Sequence, residues 1–337
     1  MGGLRVAVLG AGDMAGHHVQ AWQDLGHEVV SVTDMDTERA GALAERRGVP
    51  RTFADYRDAI IDPQIDAVSI CLPLALHAPA TILAAASGKH IMCEKPLSRS
   101  VAEAREMEAA VRAAGVQFAI GFQRNLAEGV GILRDLAAEG RFGRPMVFSS
   151  DLLQEVRPKA GMHDREGNNG PLTDAGCHYY LLWQTVFRSK PKRVYAQGRI
   201  AATGRPELSR VRQLAVDTAV VTVEFESGDI GTFTVSWGLA AGFRMTSRPD
   251  RIIGPAGGAE GAVNSRLTVY SGDRTEEISI ETKDLWMVEI EQFAAAVQDG
   301  GPAPAGFREG RQMLAVTQAI LRSIDTGEPV TVSYDED

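Results

Sequence analysis

Two short motifs contain the side chains from which an alcohol oxidation could be built. Glu94-Lys95-Pro96 supplies an ammonium group, and Asp174-Ala175-Gly176-Cys177-His178 supplies a carboxylate and an imidazole. A lysine in a cleft can donate to a hydroxyl and stabilise its developing alkoxide, while an imidazole can take the proton. Asp174 and His178 are four positions apart, so on one helix they would share a face. The pattern predicts that Lys95 and His178 act on the same hydroxyl, with Asp174 orienting the ring or the substrate.

Each of these residues also has an ordinary structural interpretation. Lys95 alone fits a solvated surface lysine with Glu94 as its ion-pair partner. Asp174 could cap a helix, and His178 could be a packed core histidine. The residues taken one at a time leave both interpretations open.

A glycine-rich turn near the start of the chain predicts a dinucleotide site. Gly10-x-Gly12-x-x-Ala15 follows an apolar strand and opens a helix. Gly10 permits the tight turn, Gly12 lets backbone N–H groups approach a pyrophosphate, and Ala15 allows close packing of helix on strand. Asp13 and Met14 complete the predicted cofactor contacts at the helix N-terminus. The alternative is a tight turn without a ligand.

Asp34 sets the predicted choice of cofactor. It ends the second strand, where a carboxylate can accept both hydroxyls of an adenosine ribose and would repel a 2′-phosphate. We therefore expect NAD rather than NADP, with Arg39 as the one neighbour that could soften the preference. The alternative for Asp34 is a helix N-cap. Leu72, Pro73 and His77 follow another buried strand and form the second predicted cofactor contact.

The order of elements predicts two domains in a chain of 337 residues. Residues 1–122 alternate apolar strands with helices, which indicates an α/β doubly wound parallel sheet of the Rossmann type. Residues 123–337 are predicted to form an α+β domain with a large, mostly antiparallel open sheet. Ser227-Gly228-Asp229 is a hairpin signal between two of its strands.

Composition excludes several classes of function. The formal charge of −9 argues against a nucleic-acid footprint, and no apolar run is long enough for a membrane span. Three scattered cysteines without CxxC spacing fit neither a disulfide scaffold nor a zinc site. We expect a cytoplasmic protein with no metal, no membrane partner and no nucleic-acid partner.

Taken together, the motifs resemble those of the Gfo/Idh/MocA oxidoreductase family, which includes glucose–fructose oxidoreductase and inositol dehydrogenases. The resemblance spans most of the chain, and its most specific segment is the Glu-Lys-Pro motif after Gly-Lys-His. The matching positions are Gly10 to Gly16, Asp34, Pro73, His77, Gly88-Lys89-His90, Glu94-Lys95-Pro96-Leu97, Asp174-x-Gly176-x-His178 and Ser323 to Val330.

The resemblance implies NAD as cofactor and a homodimer or homotetramer paired through the C-terminal sheet. It implies that Lys95 is the catalytic lysine, His178 the acid/base and Asp174 its companion. It also implies that Glu94 lies near the nicotinamide ribose and that Arg124 belongs to the cofactor site. Two departures lie on the substrate side: Leu181 replaces an acidic residue, and Asn168-Asn169-Gly170 replaces a glycine run.

The expected function is NAD-dependent transfer of a hydride between nicotinamide and a secondary hydroxyl of a sugar, cyclitol or sugar derivative. Arg157, His163 and Asn169, in the charged segment 157–169, are further predicted substrate contacts, and Arg244 with Arg248 forms a second basic group. A solvated loop is the alternative for both segments. Two other functions stay open: a glycoside hydrolase that retains NAD and oxidises only transiently, and a non-catalytic dinucleotide-sensing regulator.

Overall fold

The computed structural model describes residues 2–157, 159–243 and 248–334. These residues form two compact units. The first contains residues 2–123 together with Asp284–Arg311, and the second contains Arg124–Lys283 together with residues 312–334. No helix in the described ranges combines the length and the apolar character needed to cross a membrane.

Strands and helices follow the chain in this order. The strands are β1 Arg5–Leu9, β2 Glu28–Thr33, β3 Arg51–Phe53, β4 Ala67–Ile70, β5 His90–Cys93, β6 Phe118–Ile120, β7 Val147–Glu155, β8 Pro191–Arg199, β9 Thr218–Phe225, β10 Ile230–Leu239, β11 Asp250–Gly254, β12 Gly257–Ala262, β13 Arg266–Ser271, β14 Arg274–Ser279 and β15 Val330–Thr331. The helices are α1 Asp13–Asp24, α2 Thr37–Arg47, α3 Tyr56–Ile60, α4 His77–Ala86, α5 Val101–Ala114, α6 Glu128–Ala138, α7 Ala160–His163, α8 Gly170–Asp174, α9 Gly176–Phe187, α10 Leu285–Asp299 and α11 Phe307–Thr326.

The first unit is built on a parallel sheet with the strand order β3-β2-β1-β4-β5-β6. Its central strands are mostly apolar and are buried except at their first residues Arg5 and His90, as expected for a sheet covered on both faces. The strand order reverses between β1 and β4. Ligands of such sheets bind outside the carboxyl ends of the strands at that point. The predicted Rossmann-type sheet is therefore confirmed.

Local signals in the sequence determine where helix α5 starts and stops. The Ser100 hydroxyl accepts the N–H of Glu103 at 3.1 Å, which satisfies one of the free donors of the first turn. Gly115 ends the helix with a φ of 65°, a left-handed conformation that favours glycine. Ser100 is thus the N-cap of α5.

The second unit contains a nine-stranded sheet with the order β14-β13-β12-β11-β7-β10-β9-β8-β15. All neighbouring strands are antiparallel except β7 and β10, so the mostly antiparallel sheet is confirmed. The predicted hairpin joins β9 and β10, and Gly228 takes a φ of 83° in its turn. Helix α9 packs aromatic side chains on one face of the sheet, where Trp183 lies directly over Gly231.

One difference from the sequence-based assignment concerns the C-terminal third. Residues 123–337 are expected to form one domain, but Asp284–Arg311 belongs to the first unit. Helix α10 packs there against α1, where Phe293 meets Trp22 edge to face. An amphipathic pattern predicts that a helix buries one face, but it does not specify the surface that covers this face.

Candidate active site

The glycine-rich turn between β1 and α1 leaves open the space that a pyrophosphate requires. Gly10 has a φ of 106°, and a Cβ atom there would lie 2.4 Å from the carbonyl oxygen of Cys71. At Gly12, by contrast, no atom lies within 4 Å of the position that a Cβ would occupy. Gly12 is the N-cap of α1, whose first turn includes Asp13 and Met14, and the N-terminus of a helix favours an anion. These residues fit a dinucleotide, and the buried Ala15 lets the helix lie close to the sheet.

The Asp34 carboxylate is fixed beside this turn. One of its oxygens accepts the N–H of Ala11 at 3.0 Å, and the other accepts the N–H of Asp36 at 3.0 Å. Asp36, rather than Asp34, caps α2, so the helix-cap alternative for Asp34 is wrong. The Arg39 guanidinium lies 3.8 Å from the Asp34 carboxylate. The Asp34 carboxylate is thus held in place by hydrogen bonds directly after β2.

The Leu72-Pro73 turn and the Glu94-Lys95-Pro96 segment are tied together by His77. One ring nitrogen lies 2.9 Å from the carbonyl oxygen of Leu72, and the other lies 2.8 Å from that of Pro96. Burial lowers the pKa of His77, and both carbonyl contacts oppose that shift. The observed role of this side chain is to join two loops at the carboxyl edge of the sheet. The cofactor contacts assigned to Leu72, Pro73 and His77 stay predictions.

Glu94 is buried at the end of β5, and a histidine that the motif analysis missed holds it in place. Its Oε1 lies 3.1 Å from Nε2 of His18, and its Oε2 accepts the backbone N–H of Lys95 at 3.1 Å. The other ring nitrogen of His18 faces the Ser69 hydroxyl at 3.2 Å. Glu94 therefore links α1 to the backbone of the predicted catalytic lysine. A sequence signal for His18 exists, because it falls on the inward face of α1 between Ala15 and Trp22.

In the second unit, Asp174 and His178 do not share one helix. Asp174 is the last residue of α8, His178 lies in the first turn of α9, and the chain turns at Ala175 between them. This corrects the expectation of a common helical face. A Cβ at Gly176 would lie 2.4 Å from the Tyr180 hydroxyl, so the start of α9 depends on this close approach.

Asp174 is buried and has a partner that the motif analysis did not assign. Its carboxylate accepts the side-chain N–H of Asn168 at 2.8 Å. Asn168 belongs to the segment that departs from the family's glycine run. The asparagine thus positions the carboxylate in this chain. The His178 side chain is half-buried.

The three predicted substrate residues of the segment 157–169 have different environments. Arg157 places its guanidinium 5.5 Å from the centre of the Trp237 ring and donates to Gln154 at 2.7 Å. His163 is buried against the same Trp237, and burial lowers its pKa. Asn169 takes a left-handed conformation with a φ of 55° just before α8. The segment 157–169 is therefore partly packed. In the second predicted basic group, Arg248 is exposed and Arg244 lies outside the described residues.

Arg124 is held by groups of the second unit. Its guanidinium forms an ion pair with Asp250 and lies 4.6 Å from the centre of the Tyr179 ring. Asp250 in turn accepts the Ser150 hydroxyl at 2.6 Å. These contacts do not test the cofactor role of Arg124, which stays a prediction.

Comparison with known proteins identifies both halves of the chain. Residues 4–122 match the family model described as "Oxidoreductase family, NAD-binding Rossmann fold", and residues 131–260 match the model of the GFO/IDH/MocA C-terminal domain. The chain is 26% identical to 1,5-anhydro-D-fructose reductase of Ensifer adhaerens, with 97% of this chain and 98% of that protein covered. It is 25% identical to myo-inositol 2-dehydrogenase of Thermotoga maritima, with 96% of each covered.

A solved structure of levoglucosan dehydrogenase, in complex with NADH and levoglucosan, shares the fold. Its TM-score is 0.84 at 23% identity, and the likeness covers 98% of this chain and 99% of that one. The expected Rossmann domain, NAD cofactor and oxidoreductase class are confirmed by the family models. The chain belongs to the Gfo/Idh/MocA family of oxidoreductases.

Proposed function

We propose that the protein transfers a hydride between NAD and a secondary hydroxyl of a sugar, cyclitol or sugar derivative. Both halves of the chain match the oxidoreductase family, and similar relatives act on an anhydro-sugar and on an inositol. The observation that carries the proposal is the place of Lys95. It follows β5 at the carboxyl edge of the NAD-binding sheet, where its backbone is held by the buried Glu94.

The residues divide the chemistry between them. NAD, when bound, accepts the hydride at its nicotinamide ring. The Lys95 ammonium stabilises the negative charge that develops on the substrate oxygen, and His178 takes the hydroxyl proton. Asp174 orients the imidazole or the substrate, and Asn168 holds its carboxylate. Arg157, His163 and Asn169 contribute further contacts to the substrate.

The proposed preference is for NAD over NADP. The Asp34 carboxylate is fixed by two backbone N–H groups, so it cannot readily withdraw from a 2′-phosphate. Arg39 already lies near two carboxylates, those of Asp34 and Asp36. These contacts reduce its capacity to bind a phosphate.

Assembly into a homodimer or homotetramer through the nine-stranded sheet, and a cytoplasmic location, belong to the same proposal. The sheet face opposite α9 carries the exposed side chains of Tyr195, Val220 and Ile253. Exposed apolar side chains on one face favour association with a second copy. The scattered cysteines without CxxC spacing support a reducing compartment.

The test combines a substrate panel with one substitution. The protein is incubated with NAD and with sugars, polyols and sugar acids, and the absorbance of reduced nicotinamide is followed. On an active substrate, Lys95→Ala lowers kcat at least about a hundredfold, as expected for a group that contributes ~3 kcal/mol to the transition state. NAD affinity changes much less.

Two outcomes would contradict this proposal. Near-normal turnover of Lys95→Ala would remove the proposed role of the lysine, and the exposed Lys192→Ala serves as the matched control. Release of free sugar from a glycoside without net formation of NADH would instead identify an NAD-retaining glycoside hydrolase.

A further inference from the structure

A series of hydrogen-bonded polar side chains in the first unit ends at the backbone of Lys95. The Trp22 indole N–H donates to the Ser69 hydroxyl at 2.8 Å, and the Ser69 oxygen lies 3.2 Å from Nδ1 of His18. On the other side of the same ring, Nε2 lies 3.1 Å from Oε1 of Glu94, whose Oε2 accepts the Lys95 N–H at 3.1 Å. The series therefore connects buried groups of α1 and β4 to the proposed catalytic lysine.

The chemistry of these groups determines which atom carries the proton between His18 and Glu94. A carboxylate oxygen can only accept a hydrogen bond, so the proton is on Nε2 of the ring. At the other end of the ring, the Ser69 oxygen accepts the Trp22 N–H and also faces Nδ1. Ser69 thus holds the imidazole in the orientation in which its Nε2–H points at Glu94.

The Glu94 carboxylate depends on donors of the protein because its surroundings are buried. His18, Ser69 and Trp22 are fully buried, and Glu94 is 4% exposed. A buried charged group that loses a hydrogen-bonding partner is destabilised more than an exposed one, because water does not readily replace the lost partner. The two printed donors, the imidazole of His18 and the backbone of Lys95, therefore contribute strongly to the orientation of this carboxylate.

Gly121, directly after β6, bounds the same carboxylate with its backbone. A Cβ atom at this position would lie 3.1 Å from Oε2 and 3.4 Å from Cα of Glu94. The Gly121 N–H donates to the Cys93 carbonyl at 2.8 Å, so this backbone is tied to the end of β5. The position of the carboxylate is thus determined by packing as well as by hydrogen bonds.

We propose that His18 is a positioning residue for Lys95. Its Nε2–H holds the Glu94 carboxylate in the orientation in which Oε2 accepts the Lys95 N–H. That bond fixes the peptide group from which the lysine side chain extends. A displacement of about 1 Å at a reacting group can lower a rate about a hundredfold, so the support of this peptide affects catalysis. The inference rests on the proposed function, in which Lys95 stabilises the substrate oxygen.

The hydrogen bond can be tested without any assay of activity. In the full chain labelled with 15N at histidine, the imidazole spectrum should contain an Nε2–H signal that exchanges slowly with water, because His18 is fully buried. His18→Leu identifies the signal by removing it, and Glu94→Gln should shift it. If His18 carries its proton on Nδ1 alone, no donor faces Glu94 and the inference is overturned.

The positioning role is measured by substitution of His18. His18→Leu removes the donor to Glu94 and should lower kcat about tenfold or more, with a smaller change in KM. His18→Gln places an amide N–H near the position of Nε2 and should recover most of that loss. A Gln variant as impaired as the Leu variant would count against the hydrogen bond as the cause.

His17→Leu is the matched control, because it makes the same chemical change at the preceding residue of α1. The His17 side chain is exposed and stacks on Trp286, with 4.0 Å between the ring centres. It has no contact with Glu94 among the hydrogen bonds of the described residues. This variant should therefore keep the kcat of the wild type, and a loss equal to that of His18→Leu would overturn the inference.

Gly121→Ala tests the position of the carboxylate without removal of a hydrogen-bonding group. At 3.1 Å from Oε2, the added methyl group requires the carboxylate to move by a few tenths of an ångström. We expect kcat to fall about threefold or more, with a smaller change in KM. This variant decides the question if His18→Leu does not fold: a kcat equal to that of the wild type would overturn the positioning role.

The two proposals can fail separately. Normal turnover of Lys95→Ala would end the proposed chemistry and leave the Nε2–H signal of His18 intact. An inactive Lys95→Ala together with full activity of His18→Leu would end the positioning role alone.

Discussion

At the residue scale, the turn between β1 and α1 contains two glycines, and glycine occupies each position for a different reason. Gly10 needs its positive φ and has no room for a side chain, whereas Gly12 has an ordinary φ of −77° and open space. Gly12→Ala should therefore leave the melting temperature almost unchanged. It should weaken NAD binding about tenfold or more, because the methyl group enters the space at the start of α1. Thermal unfolding and titration with NAD measure the two effects.

Gly16→Ala is the matched control for this prediction. Its Cβ also points into open space, but Gly16 lies within α1, where alanine stabilises a helix by about 0.5–1 kcal/mol over glycine. This variant should bind NAD normally and melt slightly higher. If Gly12→Ala binds NAD as tightly as the wild type, the pyrophosphate does not lie at that helix end.

Asp34 offers a second prediction at this scale. Asp34→Asn keeps the shape and one acceptor oxygen but removes the charge that repels a 2′-phosphate. The ratio of kcat/KM for NAD to that for NADP should fall about tenfold, a loss of ~1.4 kcal/mol of discrimination. Asp36→Asn, which changes the exposed helix cap, should leave the ratio unchanged. A wild type that prefers NADP would contradict the assignment itself.

Sequence reasoning identified these residues because their chemistry is local. The turn glycines and Asp34 follow strands in a pattern that a short window of sequence contains. The partners His18 and Asn168 were missed because their roles depend on contacts made only after folding.

At the element scale, packing of α9 on the nine-stranded sheet depends on one missing side chain. A Cβ at Gly231 would lie 2.2 Å from the Trp183 ring, and the ring belongs to a fully buried cluster with Phe233. Gly231→Ala should destabilise the protein by about 1–3 kcal/mol, because a close-packed core tolerates little added volume. Denaturant unfolding measures this change.

A double substitution checks the physical cause. Trp183→Phe shortens the ring over Gly231, so the combined variant should be less destabilised than the sum of the two single changes. Strict additivity would show that the cost of Gly231→Ala arises elsewhere. Trp183→Phe alone also loses the 3.3 Å contact from the indole N–H to Ser150. The free energy of unfolding of this single variant must therefore be measured and included in the sum.

Sequence reasoning located best the elements that an apolar run or a helix cap marks, and strand length did not decide the outcome. The bounds of β1, β2, β5 and α2 follow their apolar runs and turn residues. Strands β11 to β14 were not predicted. Glycines or charged side chains interrupt the apolar pattern of β11, β12 and β14, and β13 lies between two of these strands in the sheet. Their pairing partners along the sheet determine them instead.

At the scale of the whole molecule, the nine-stranded sheet has two different faces. One face carries Phe148 and Phe233 beneath α9. On the opposite face, Val220 is 58% exposed and Ile253 is 53% exposed, and polar side chains such as Thr222 and Thr232 lie among them. A face of this mixed character suits association with a second copy of the chain.

The prediction from this face is a change in oligomeric state. Val220→Glu combined with Ile253→Glu places two like charges on the sheet and should convert the proposed dimer or tetramer into monomers, because each buried charge would lack a partner. Light scattering after size exclusion gives the mass directly. Met35→Glu is the control, since Met35 is 87% exposed in the first unit and should not affect assembly. If the wild type is monomeric, or if the double variant keeps the mass of the wild type, this face does not form the contact between copies of the chain.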